Sequence, residues 1–421
     1  MYDVVIVGGS LAGCSTAALL GRAGLRVAVL EAHKDPDHYK RLCTATIRAG
    51  TQPVLRRLGL ADKLAEAGSM PCYDAFHSAA DGWVLDETAV ERGDYGYNLQ
   101  RRLLDPLVRR TAAETPGVEL ILGAKVTDLS RDAHGRVNGV VAKIKGEETL
   151  FSGRLVIGAD GRSSVVADRA GLPAIETENR RYIYFAHYRN VDMPADRTLR
   201  AWFAMPDIFL MAGFGDGTAV ISCAPDKRSL PEFDLDREKF LLESFKNLPD
   251  APDLSNVERV TDLIGTRDYP NIRRRRVVAP GLALVGDAAM VADPVSGVGC
   301  GFAFQAAEWL ADAVTDALKS QDSAAIDKAL ARYQKQHRKR LGLHHFTIAD
   351  LSKRTVLPPV IRMILAAAVD DPKIAQSYVS VVTRNSSPAV LFSPKLLVRA
   401  AIGARRARAT QRREQVPALA A

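Results

Sequence analysis

The chain opens on an uninterrupted apolar run, "DVVIVGG", and a run without polar alternation predicts a strand buried on both faces. Next comes "AGCSTAALLGRAG", whose small and apolar residues recur at helical spacing and end at Gly24, a suitable C-terminal cap. "RVAVLE" predicts a second buried strand, so the chain begins strand, glycine turn, helix, strand. Helical patterning returns over 48–68 and 101–114. Between about 117 and 160 it gives way to short strands joined by hairpin turns such as "RDAHGRV", and residues 180–224 alternate as an antiparallel sheet does. The glycine-rich stretch Gly213–Gly217 lies between two strand runs with no helix after it, so it reads as an Asp-Gly hairpin turn and not as a nucleotide loop. A helix is expected over 237–249, a buried strand at "GLALVGDAAM", a long helical region over 299–343, and less patterned helices over the last eighty residues. There are no internal repeats.

A length of 421 residues allows two closely packed domains with a large core. The 47% apolar and 25% charged residues place the chain among ordinary globular proteins, and no run of 18 or more uncharged apolar residues predicts a membrane span. Cys14, Cys43, Cys72, Cys223 and Cys300 are scattered, with neither a C-x-x-C pair nor metal-type Cys/His spacing. An odd, dispersed set points away from a disulfide framework and toward a reducing cytoplasm, and no metal site is expected. The N-terminus enters a strand pattern directly, without the basic and cleavable segments of a signal peptide. The net charge of +8 is misleading until it is located: from Lys395 onward seven basic residues face one acid, Glu414, so this tail carries +6 of it. The body is close to neutral, and nucleic-acid binding is not expected. The tail, "FSPKLLVRAAIGARRARATQRRE", has two readings: a solvated terminus, or a helix making weak contact with an anionic membrane surface or a carrier protein.

In "GGSLAG", Gly8, Ser10 and Gly13 stand at the three glycine positions of G-x-G-x-x-G. Gly8 permits the tight turn and Gly13 the close packing of helix on strand, while the N–H groups of Ser10, Leu11 and Ala12 open a helix whose dipole favours a pyrophosphate. Ser10 replaces the middle glycine and weakens the formal match. Glu31, followed by Ala32 at the end of the second strand, is placed to accept hydrogen bonds from ribose hydroxyls. By itself this cradle suits NAD or FAD equally.

Two later segments carry a more specific resemblance. "LVIGADGRSSVVA" resembles the Asp-Gly motif of the para-hydroxybenzoate hydroxylase family of flavoprotein monooxygenases, and "GLALVGDAAMVADPVSGVGCGFAFQAAEWLADAV" resembles that family's Gly-Asp motif with the flavin loop after it. With the opening cradle they occur in the family's order and span residues 3 to about 315. The resemblance implies FAD as cofactor and NAD(P)H as a transient co-substrate, since no second strand–glycine-loop–helix unit is present. It places Asp160 near the pyrophosphate, with a purely structural Asx-turn as the alternative. Gly286 and Asp287 fall at the ribityl chain, and Pro294, Gly297, Val298, Gly299 and Cys300 in a side-chain-poor loop against the flavin ring. More loosely, "TIRAGTQPVLRRLG" puts Arg48 near the flavin, so that Arg48 and Pro294 are the candidate catalytic residues. "LQRRLLDPL" puts Arg101 (or Gln100, one residue away) on the cofactor, and Val126 falls where backbone meets adenine. For either arginine a surface salt bridge is the competing reading. Met290, Ala167 and Val298 depart from the family's usual histidine, arginine and glutamine at the corresponding positions.

The implied fold class is α/β with an α+β substrate domain: a Rossmann-like FAD-binding domain, an interleaved antiparallel β-sheet domain and a helical C-terminal region. The expected division is 1–75, 101–175 and 271–345 for the FAD domain, 76–100 and 176–270 for the substrate domain, and 346–421 for the C-terminal helices. The implied reaction is hydroxylation or epoxidation of a small aromatic or unsaturated substrate with O2, through a flavin C4a-hydroperoxide. Tyr182, Tyr184, Trp202, Phe209 and Met211 are the candidate substrate contacts, with core packing an equal alternative; His187 faces the other way. A halogenase, a polyprenyl-type reductase and an FAD-less ligand carrier share the scaffold and stay open, although "WFAMP" is not the W-x-W-x-I-P segment typical of halogenases. A monomer and a homodimer are equally compatible with the sequence.

Overall fold

The computed structural model describes residues 1–78, 82–194 and 199–414, with side chains described as far as Arg406. The opening unit is β1 (Tyr2–Val7), α1 (Leu11–Arg22) and β2 (Val27–Glu31). Then follow β3 (Asp74–Ser78), α2 (Arg101–Ala113), β4 (Val118–Leu122) and β5 (Glu147–Gly158). The strands β6 (Ile183–Arg189), β7 (Leu199–Ala204), β8 (Asp207–Gly213) and β9 (Ala219–Ala224) come next. The chain closes with β10 (Leu282–Leu284) and the helices α3 (Gly299–Lys319), α4 (Ser323–Leu351), α5 (Pro359–Ala368), α6 (Pro372–Val382) and α7 (Pro394–Glu414).

Two large sheets organise these elements. In the first, β10, β5, β1, β2 and β4 lie side by side and parallel. Val4, Val5 and Ile6 are fully buried between α1 on one side and other apolar elements on the other, which is why their run shows no alternation. In the second sheet β6, β9, β8, β7 and β3 are neighbours, antiparallel except for the β7–β3 pair. The hairpin expected at Gly213–Gly217 joins β8 to β9. The fold is thus a mixed α/β arrangement of a Rossmann-like sheet and an antiparallel sheet, and the chain passes between them more than once.

Two helical expectations are revised. The 48–68 stretch is a broken series, with helices at Gln52–Arg57 and Ala61–Glu66 separated by a turn at Gly59, where φ is +61°. The 299–343 region is two helices, because the chain turns at Ser320–Asp322 and Asp322 caps the second through the Ala324 N–H. The C-terminal tail is helical and packs through Leu396, Ala400 and Ala404 in one apolar cluster with α5 and α6. Arg399 is paired with Asp371 at 2.5 Å. The side chains of Arg408, Arg412, Arg413 and Glu414, part of the basic tail, lie outside the described ones. No described helix is long and apolar enough to cross a membrane.

Candidate cofactor and active site

The turn between β1 and α1 is built on backbone contact. Gly8 has φ +107°, and a Cβ there would strike the Ala159 carbonyl at the end of β5. A Cβ on Gly13 would strike the Gly8 carbonyl, so α1 can sit this close only with glycine at that position. The Gly9 N–H donates to Glu31 Oε2 at 2.7 Å and the His33 N–H to Oε1 at 2.9 Å. Glu31 therefore fixes the turn while each carboxylate oxygen keeps acceptor capacity for a ribose hydroxyl. Gly123 and Ala124 donate to the His33 and Glu31 carbonyls, which brings Val126 beside this end of β2; its side chain is in the core. Leu11 and Ala12 likewise turn their side chains into the core, leaving only backbone for a ligand.

Behind the cradle runs a row of charged groups on one face of α2. Arg101 is buried and bidentate to Asp105, at 2.6 and 2.8 Å, and its Nη2 reaches Ser10 Oγ at 3.3 Å. Here both readings of Arg101 meet: the ion pair exists, but it is buried and turned to the glycine turn. One helical turn on, buried Arg109 donates to the carbonyls of Gly9, Pro36 and His38, tying the 36–38 segment to the turn. Arg109 was not among the residues expected from sequence, although Arg101, Asp105 and Arg109 recur every four residues and so share a helix face.

Asp287 sits in the short helical turn Gly286–Ala288 directly after β10. Gly286 packs on Ala12, which fixes that turn against the start of α1. Asp287 Oδ2 accepts from Lys40 Nζ at 2.6 Å, and the carboxylate raises the Lys40 pKa. Lys40 carried no sequence signal. Asp160, by contrast, spends its carboxylate on its own turn, accepting from Ser164 Oγ at 2.6 Å and from the Val166 N–H at 3.1 Å. This is the structural alternative for Asp160, and its segment still adjoins the cradle through Ala159. An open cleft of about 440 Å³ lies beside that turn, lined by Arg162, Ser164, Asp168 and Arg274.

Arg48 joins the flavin-loop segment to the second sheet. It forms an ion pair with Asp74 at the start of β3, both side chains being almost wholly buried, and its Nη2 donates to the Ser296 carbonyl at 3.1 Å. Gly297, with φ +61°, lies flat on the guanidinium; a Cβ there would come within 2.8 Å of Nη2. Burial raises the Asp74 pKa, against the opposing pull of Arg48. Asp293 N-caps the Pro294–Ser296 turn through the Val295 N–H and is held by buried Arg181 at 2.8 Å, so Pro294 stands on a rigid base. Val298 packs with Met290, Phe302 and Leu341, while nothing beyond its chain neighbours and its own helix backbone lies within 4 Å of a Cβ built on Gly299. Thr46 Oγ1, Arg48 Nε, Thr51 Oγ1 and Asn98 Oδ1 are buried without a hydrogen-bond partner. Unsatisfied buried polar atoms near a side-chain-poor loop are what a flat, hydrogen-bonding cofactor would complete, and together with the glycine cradle they fit FAD.

At the expected substrate face the structure shows the packing of the core alternative. Tyr182, Tyr184, Trp202, Phe209 and Met211 do share one face, but it packs against Phe233, Leu241 and Phe245 as core. The opposite face, with Phe185, Ala201, Leu210 and Val220, clusters with Ala45, Cys72 and the C-terminal helices and so lies toward the Arg48 segment. His187 is on this second face, stacked on Phe214 at 5.0 Å, with Nδ1 buried and unpartnered. Burial depresses its pKa to about 4, so it is neutral at pH 7.

Removing the Asp287 carboxylate tests its assignment. Asp287→Ala is expected to weaken FAD binding roughly 10- to 100-fold, the worth of a charged hydrogen bond. Titration of flavin-free protein with FAD reads this directly, and an unchanged affinity would refute the role.

Comparison with known proteins agrees with this fold. The chain is 25% identical over 344 residues to the 3-demethoxyubiquinol 3-hydroxylase of Escherichia coli, covering 79% of this chain and 84% of that protein. It is 24% identical over 355 residues to the 1H-pyrrole-2-carbonyl-(peptidyl-carrier protein) chlorinase of Pseudomonas fluorescens, covering 76% and 77%. The structure of p-nitrophenol 4-monooxygenase from Pseudomonas putida superposes with a TM-score of 0.77 at 21% identity, covering 92% of this chain and 99% of that one. The model of the FAD binding domain family matches residues 1–341, and the chain belongs to that family of flavoproteins.

Proposed function

We propose that this protein is a monooxygenase of the para-hydroxybenzoate hydroxylase group, which uses NAD(P)H and O2 to hydroxylate or epoxidise a small aromatic or unsaturated compound. The observation that carries the reading is the Arg48–Asp74 ion pair, which holds the Pro294–Gly297 loop against the antiparallel sheet. Bound FAD, reduced by NAD(P)H, supplies the electrons that activate O2. Around it Arg48 positions the loop backbone, the face carrying Phe185 and Leu210 excludes water and receives an apolar ring, and neutral His187 offers Nδ1 to a substrate hydroxyl proton. Substrate contacts are thus reassigned from the Tyr182–Met211 set to the opposite face of the same strands.

A flavin-dependent halogenase is the second reading, favoured by the likeness to the chlorinase over three quarters of both chains. The exposed Lys395, Arg405 and Arg406 on α7 would then suit an acidic carrier protein that presents the substrate. The deciding experiment supplies NAD(P)H, labelled O2 and a panel of aromatic compounds, with and without halide. Substrate-stimulated NAD(P)H oxidation with label in the product supports hydroxylation. Halide in the product, or an absolute need for a separate flavin reductase, overturns it.

A further inference from the structure

Two of the five cysteines meet across 257 residues of chain. Cys43 Sγ lies 3.8 Å from Cys300 Sγ, the first from an irregular loop and the second from the first turn of the 21-residue helix α3. The Ala45 N–H also points at the Cys43 sulfur, at 3.4 Å, because Ala45 adopts a left-handed backbone with φ +63°, uncommon outside glycine. Cys43 is partly accessible, whereas Cys14, Cys72, Cys223 and Cys300 are buried. Its surroundings favour the thiolate: the hydrogen bond with Cys300 and the positive charge of Arg101 and Lys40 hold its pKa well below the usual thiol range. Burial pushes Cys14 and Cys223 the other way, to about 12.

We propose that Cys43 and Cys300 form a hydroperoxide-reactive pair, in which Cys43 is the attacking sulfur and Cys300 the resolving thiol. The Cys43 thiol gives its proton to solvent and the thiolate attacks the outer oxygen of a hydroperoxide; an S–O bond forms, the O–O bond breaks, and the departing alkoxide or hydroxide takes that proton back from solvent. Cys300 sulfur then attacks the Cys43 sulfenic acid; an S–S bond forms, the S–O bond breaks, and water leaves with the Cys300 proton. Overall two thiols and one peroxide give one disulfide and two waters (or an alcohol and a water), and an added dithiol restores the pair. Closing the sulfurs to about 2.0 Å asks only the irregular 41–45 loop to move, since α3 is fixed in the core. The product ties that loop, which carries Lys40 at its border with Asp287, to the first turn of α3. The thiol chemistry stands on the Cys43–Cys300 geometry and its surroundings; only the source of peroxide, reduced flavin reacting with O2 without substrate, rests on the proposed reaction.

The test treats flavin-loaded protein with stoichiometric hydrogen peroxide, alkylates the remaining thiols and maps peptides by mass spectrometry. A Cys43–Cys300 linked peptide is expected, reversed by a dithiol, with Cys43 lost at least about tenfold faster than Cys14, Cys72 or Cys223. In Cys300→Ser, Cys43 should accumulate as a dimedone-trapped sulfenic acid; in Cys43→Ser, Cys300 should stay reduced. If either variant fails to fold, the wild-type map still decides. Cys43 alkylated in full after peroxide, oxidation beginning at Cys300, or a flavin-bearing Cys43 peptide would each overturn the proposal. Because peroxide is added directly, failure here is distinguishable from failure of the monooxygenase reading.

Discussion

Arg48→Ala is expected to lower the unfolding free energy by about 3–5 kcal/mol, the effect of leaving a buried carboxylate without its counter-charge. Asp74 is almost wholly inaccessible, and its carboxylate faces Arg48 Nη1 alone among the ion pairs of the described residues. The same change removes the donor to the Ser296 carbonyl and the surface on which Gly297 lies, so FAD affinity should fall as well. The two consequences can be separated. Replacing the pair together, as Arg48→Met with Asp74→Leu, should recover most of the stability, because apolar groups of similar volume suit a buried site. It should not restore flavin affinity, because the loop still lacks its donor. Denaturant midpoints and flavin titrations on both variants measure this, and a single variant as stable as the parent would show that the ion pair is not formed.

Acid should destabilise the protein well before its carboxylates protonate. Burial depresses the pKa of His187 and of His337 to about 4 and that of His344 to about 3, with Arg384 adding to the shift at His344. All three side chains are buried in the folded chain. In the unfolded chain they titrate near 6.5, so between about 6.5 and 4 the unfolded state binds more protons and stability falls as pH is lowered. Each histidine contributes a slope of up to roughly 1.4 kcal/mol per pH unit, and the three together about 4. Denaturant midpoints at pH 7.5, 6 and 5 should drop accordingly, and His337→Phe should remove about a third of the slope. A midpoint unchanged from pH 7.5 to 5 would mean that these rings are charged in the fold. Partly buried Asp160 and Asp207, whose pKa values are raised, act in the opposite sense, but only from the ordinary aspartate range upward.

How far the site could be read from the chain follows from the range of the forces involved. The glycine turn is a local object: the positive φ at Gly8 and the contact that forbids a Cβ on Gly13 are consequences of strand, turn and helix being consecutive, so spacing alone reveals them. The same holds for the turn that places Asp287 after β10 and for the hairpin between β8 and β9. Arg109 was equally legible in principle, four residues after Asp105, but its targets, the Gly9, Pro36 and His38 carbonyls, are not local to it.

The sequence by itself determined that a strand–turn–helix cradle with Glu31 exists, that a side-chain-poor loop follows Asp287, and which residues of each antiparallel strand share a face. Tertiary structure alone decided what each of those faces packs against. A period of two is unchanged when a sheet is turned over, and only the helical segment carrying Phe233, Leu241 and Phe245 shows that the Tyr182–Met211 side is core. It also decided the partners of Arg48, Lys40 and Cys43, each joined to a residue 26, 247 or 257 positions away. Such pairings depend on how whole elements pack, and no short-range pattern in the chain encodes them.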